Sequence, residues 1–189
     1  QHRYPFWNPK TGISIQLTKN QRLFSSIGVA NREPKRSNFT DSPEGQEILP
    51  EQLLDFETGY EFNSHYWKGS VNLYLMSYKN QLILTGEIND VGAPIMVNTP
   101  RSFRRGVELV STWNPWPSLK WEVTTTISQN KVLQFTEYVD DWDTWDQKVS
   151  ELGTTDLAFA PTLLAGSRLQ WNPWSFLLIA WNSKYVGRQ

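Results

Sequence analysis

The chain has 189 residues, 39% hydrophobic and 20% charged, with a formal net charge of -1 and a mean hydropathy of -0.51. No apolar run approaches the roughly 20 residues of a membrane helix, and beyond Arg32, Lys35 and Arg36 there is no basic cluster, so a nucleic-acid footprint is absent. The absence of cysteine excludes disulfides and thiolate metal sites, and ten Trp are the compositional outlier.

Alternation of apolar and polar residues, broken by turn signals, predicts about eight strands. Their cores fall at 12–19, 22–33, 53–63, 69–86, 103–113, 119–135, 156–171 and 175–187. The clearest run is Leu119 to Ser128, where Trp121, Val123 and Ile127 alternate with Lys120, Glu122 and Ser128. A period of two puts the two sets on opposite faces of one strand. Leu54, Phe56, Tyr60, Trp121, Val123 and Ile127 are expected on the apolar face, and Asp55, Glu57, Glu61, Arg104, Glu108, Lys120 and Glu122 on the polar one.

Connections alternate in kind. Short turns at Thr18 to Arg22, Asn63 to Trp67, Asn114 to Ser118 and Asn172 to Ser175 close one end, and the longer segments 34–52, 87–102 and 136–155 are expected as loops at the other. Such alternation fits an outer-membrane β-barrel, whose strands escape hydropathy scans because half of each strand faces a polar lumen. Tyr66, Trp67, Trp113, Trp116, Trp121, Trp171 and Trp174 lie in or near the short turns and read as an aromatic girdle at the membrane interface. A soluble Trp-rich β-sandwich such as a carbohydrate-binding module also alternates, and a small lipocalin-like barrel is a third arrangement, though its lumen would have to hold Glu57, Glu61, Glu108 and Glu122.

Ordered short runs add a resemblance. Trp7 to Ile13, Asn20 to Phe24, Ala30 to Pro34, Pro50 and Glu51, Asp55 to Tyr60, Asn72 to Leu82, Leu84 to Gly92, Asn98, Arg105 to Leu109 and Lys184 to Gln189 together resemble the β-barrel of TonB-dependent outer-membrane receptors, in the style of siderophore-type receptors from Bacteroidota. The resemblance implies that residues 1–189 are part of an antiparallel transmembrane barrel of the roughly 22-stranded type, with the plug domain and the final strands outside this stretch. It implies an outer-membrane transporter for a scarce nutrient such as a ferric siderophore, haem or a similar metal chelate. The implied partners are the receptor's own plug, the TonB complex acting through it, outer-membrane lipid and the small-molecule nutrient. Strands 12–19 and 175–187 are then expected not to pair with each other.

No enzymatic constellation, resident cofactor or metal site is expected. His2 and His65 stand at the terminus and in a turn, without a partner for acid–base work. The acidic run Asp140, Asp141, Asp143 and Asp146 lacks the glycine and terminal Glu of a calcium loop and reads as a solvated loop. Four residues are ligand-contact candidates. Trp142 and Trp145, in a long loop, could stack on a ligand or anchor the loop, and Arg32 and Arg36, beside Lys35, could attract an anionic chelate or serve solubility.

Overall fold

The computed structural model describes residues 3–42, 47–89, 92, 94–141, 143–144 and 146–188. They form one antiparallel sheet. The strands are β1 (Lys10–Thr18), β2 (Gln21–Arg32), β3 (Glu51–Asn63), β4 (Trp67–Ile88), β5 (Pro94–Trp116), β6 (Leu119–Asp141), β7 (Asp146–Asp156), β8 (Leu163–Trp174) and β9 (Leu177–Val186), with a short helix α1 (Arg36–Thr40) between β2 and β3. The order is β1-β2-β3-β4-β5-β6-β8-β9, and β7 pairs with the far half of β6. No second sheet covers the first among the described residues, so the sandwich arrangement is ruled out. Among the described residues β1 pairs only with β2 and β9 only with β8, which also excludes a small closed barrel.

Two sequence expectations need correction. The strand expected over 156–171 starts only at Leu163, as β8, while Asp156 ends a separate strand, β7; both lie against β6, Lys131 to Asp141 pairing with β7 and Leu119 to Ile127 with β8. The residues expected as loops at 87–102 and 136–155 are mostly strand, since β4 and β5 continue pairing as far as Ile88 and Pro94, and β6 and β7 as far as Asp141 and Asp146. Pro100 lies within β5. It falls opposite Asn80, which has a left-handed backbone (φ 55°), and the ladder resumes on either side at Lys79↔Arg101 and Gln81↔Thr99.

Register fixes the two faces. One row runs Glu57↔Tyr74↔Gly106↔Ser128, the next Asn72↔Glu108↔Thr126↔Leu164, and all belong to the polar face. On the other face Tyr60↔Val71↔Leu109↔Thr125 and Phe56↔Leu75 continue an apolar surface. Leu54, Phe56, Trp121 and Ile127 are exposed there, with Tyr60 and Val123 half-buried on the same side. A sheet whose apolar side is left uncovered needs an apolar solvent.

The apolar face is bounded at both ends. Toward the short turns a single register row holds Trp67↔Trp113↔Trp121↔Leu169↔Trp181, with Phe62 against Trp67 at 5.2 Å between ring centroids. Toward the long loops Arg105 donates from Nε to Gln129 Oε1 at 2.8 Å, and its guanidinium lies over Phe103. Eight residues separate Trp113 from Arg105. At ~3.4 Å per residue and a tilt of ~40° this gives ~21 Å of height, close to the ~25 Å apolar band of an outer-membrane barrel. The buried aliphatic side chains among the described residues lie beyond the Arg105 level, where Ile48, Leu82, Ile83, Ile95 and Val132 form a small core under the long hairpins.

Candidate functional site

The polar face carries every charged residue expected in the lumen. Asp55, Met76, Arg104 and Asn130 are register neighbours on β3, β4, β5 and β6, and Glu57 and Glu108 belong to the two adjacent rows. Glu61 lies nearer the turns beside Arg22, with Lys120 and Glu122 at that end on β6. Glu61 takes a two-pronged bond from Arg22, at 2.9 Å from Nε and 2.6 Å from the terminal nitrogen. Lys120 binds Glu122 of its own strand at 2.8 Å, because residues two apart share a face. Arg104 stacks on the Tyr78 ring at 5.5 Å, and among the described residues Glu108 receives only a long 3.4 Å bond from Asn72.

Between β7 and β8 the chain leaves the sheet over residues 157–162 and passes across this polar wall, enclosing a cavity of about 330 Å³ lined by Glu57, Asn72, Tyr74, Arg104, Glu108 and Phe159. The excursion is tied down by β6. Leu157 N donates to Asn130 O at 3.0 Å, Ser128 N to Thr162 O at 2.8 Å, and Ser128 Oγ to Pro161 O at 3.0 Å. Phe159 has a left-handed backbone (φ 59°) and is 83% exposed, so a large apolar ring stands at the charged wall. Sequence reading missed it, since Leu-Ala-Phe-Ala-Pro continues an apolar run; Pro161 was the available sign of a break.

The ligand-contact candidates are not brought together. Arg32 ends β2 and binds Glu51 of β3 at 2.5 Å, and the nearly buried Glu51 also accepts from Leu82 N at 2.7 Å. Arg32 thus holds the sheet's outer corner. Arg36 is exposed on α1 without an ion pair among the described residues, and Trp142 and Trp145 lie outside the described residues. The acidic run is occupied locally: Asp140 accepts from Gln147 Nε2, Asp141 from Asp143 N, and Asp146 from Gln147 N. Among the described residues no three potential ligands gather as a metal site, and His65 packs edge-on against Tyr66 in a turn.

A one-layer antiparallel sheet with an apolar outer face, an aromatic row at the short-turn end and a charged inner face is a segment of an outer-membrane barrel wall. A family model described as TonB dependent receptor-like, beta-barrel, matches residues 1–189, and the chain belongs to that family of receptors, which are not enzymes and reside in the bacterial outer membrane. A search of curated protein sequences returns no match. Among solved structures the chain is similar to the siderophore receptor PirA of Pseudomonas aeruginosa (15% identity, TM-score 0.68, 96% of this chain and 31% of that one). It is similar to the FrpB iron transporter of Neisseria meningitidis (16%, 0.64, 95% and 26%). It is also similar to the ferric-catecholate import receptor Fiu of E. coli K12 (16%, 0.68, 94% and 24%). The chain therefore spans about a quarter to a third of the length of these receptors, and at such identity the likeness is one of fold.

Proposed function

We propose that this segment is wall and outer rim of a TonB-dependent active transporter that binds a scarce nutrient outside the cell and imports it across the outer membrane. The nutrient class is a ferric siderophore, haem or a similar metal chelate. The observation that carries the reading is the sheet's asymmetry, apolar outside and charged inside, in a chain whose whole length matches the receptor barrel family. The siderophore and iron receptors among its structural neighbours support the nutrient class.

In this reading Asp55, Glu57, Arg104 and Glu108 face a plug domain filling the lumen, and the plug is the part that TonB pulls. Lys120 and Glu122 lie at the periplasmic mouth. Arg36 belongs to the outer rim, where it would meet the nutrient, and Trp142 and Trp145 stay ligand-contact candidates, whereas Arg32 acts through Glu51 on the rim's shape.

The experiment is uptake of radiolabelled iron, presented as a panel of siderophores and as haem, in cells with the full-length receptor deleted or restored, with and without TonB. Uptake of at least one chelate that needs both the receptor and TonB is the expected result. Receptor-dependent uptake of none of them contradicts the nutrient class, and uptake indifferent to TonB contradicts the mechanism.

A further inference from the structure

The row of indoles at the short-turn end encloses a groove as well as marking a boundary. Trp67, Trp113 and Trp121 stand side by side in register on β4, β5 and β6, and with Ser111 and Val123 they line a groove of about 500 Å³ on the outer face. Two of the rings are held by hydrogen bonds. Trp67 Nε1 donates to Ser111 Oγ and Trp121 Nε1 to Ser167 Oγ, each at 2.8 Å and each to the next strand, one outward-facing step toward the sheet's middle. The outer two of the three rings are thus fixed as walls, with their polar atoms satisfied inside the protein, as an apolar solvent demands.

Trp113, between them, is different. Its indole N–H has no acceptor among the described residues, and the side chain is 44% exposed. On the side toward the sheet's middle the groove is lined by Ser111 and Val123, and the next outward-facing pair in register is Leu109 and Thr125. An apolar trough with one unsatisfied donor at its interfacial end matches a chain with a single acceptor at its head.

We propose that this groove holds one diacyl glycerophospholipid of the periplasmic leaflet, with an acyl chain along Ser111, Val123 and Thr125 and an ester carbonyl accepting the Trp113 indole N–H. A general aromatic belt contacts all neighbouring lipid alike. The groove instead selects a lipid by its carbonyl, because a carbonyl supplies the acceptor that the protein withholds from Trp113 and an ether oxygen is a poorer one.

The test is native mass spectrometry of the full-length receptor in non-ionic detergent, titrated with dioleoyl phosphatidylethanolamine or with its ether-linked analogue. Wild type should retain one ester lipid more firmly than the ether analogue by about fivefold, the scale of one hydrogen bond. Trp113→Phe keeps the ring, loses the donor and should abolish that preference. Val123→Trp fills the groove and should reduce retention of both lipids, while Ser183→Trp, on the same face of β9, should leave retention unchanged. Equal retention of ester and ether lipid by wild type, or a preference that survives Trp113→Phe, overturns the proposal. So does equal loss in Val123→Trp and Ser183→Trp. The ester–ether comparison within wild type stands even where a variant folds poorly.

Discussion

Tyr74 lies across Gly106, its register partner on β5, so that a Cβ added at Gly106 would sit 2.6 Å from the Tyr74 hydroxyl oxygen and 2.5 Å from the Ile127 carbonyl. Gly59 stands in the same relation to Phe24, with a ring carbon 2.7 Å from the position of its missing Cβ. In a one-layer sheet with almost no buried core, an inward ring fills the space left by a glycine on the next strand and ties the two strands together. Gly106→Ala should therefore cost about 1–3 kcal/mol through overpacking. The check is the urea midpoint of the full-length receptor in micelles, where an unchanged midpoint would show that Tyr74 moves aside freely.

The bounds of the apolar band rank the outer positions. Leu109, with Val71 and Thr125 beside it in register, is halfway between the Trp113 and Arg105 levels, whereas Val123 is only one outward-facing step from the indole row. Leu109→Arg should disfavour insertion by about 2–4 kcal/mol, Val123→Arg by less, and the lumenal Glu122→Gln hardly at all. Folding titrations into lipid vesicles give the order directly, and a Val123→Arg penalty equal to that of Leu109→Arg would misplace the membrane.

Glu51 holds the outer corner of the sheet, where it joins Arg32 to the backbone N–H of Leu82. Removing the carboxylate leaves a buried N–H without an acceptor, a cost of about 1–3 kcal/mol. Glu51→Ala should therefore speed hydrogen exchange at Leu82 and its neighbours in the β4–β5 hairpin while leaving exchange within the membrane band unchanged. Glu51→Gln, which keeps an acceptor oxygen, should show a smaller effect. Equal exchange in all three proteins would mean that the corner is held by its apolar core alone.

These contrasts show where sequence was informative. Between Leu119 and Ser128 both faces of the strand are demanding, one by lipid and one by water, so alternation is strict and the barrel wall can be read residue by residue. Beyond Lys131 both faces of β6 meet water or other hairpins. Alternation weakens there, Asp and Gly enter, and β7 was hidden in what reads as a loop. The 157–162 excursion, marked only by Pro161, was missed for a related reason. Its residues are as apolar as a strand's, and what lifts them from the sheet is the anchoring by Ser128 and Asn130, some thirty residues earlier. Trp181 joined the indole row only once register was known, because the distance of β9 from the other short turns concealed its height.

Ser128 offers a test of that anchoring. Its hydroxyl donates to Pro161 O at 3.0 Å, while its backbone N–H holds Thr162 O whatever the side chain. Ser128→Ala should weaken the ledge by about 1 kcal/mol without melting the sheet. Hydrogen exchange at Leu157 and Thr162 should rise while exchange at Thr124 and Thr126 stays fixed; a uniform rise along β6 would show that the ledge and the wall form one unit.

The central claim is that this sheet divides lipid from a polar lumen. Since the 189 residues contain no cysteine, single cysteines placed from 119 to 128 in the full-length receptor, on a background freed of any others, can carry nitroxide labels. In vesicles, the labels at 121, 123, 125 and 127 should be reached by dissolved oxygen and those at 120, 122, 124 and 126 by a water-soluble nickel chelate or, where a plug shields them, by neither reagent. An oxygen accessibility without the two-residue period, or with its maxima on the even positions, would contradict the account.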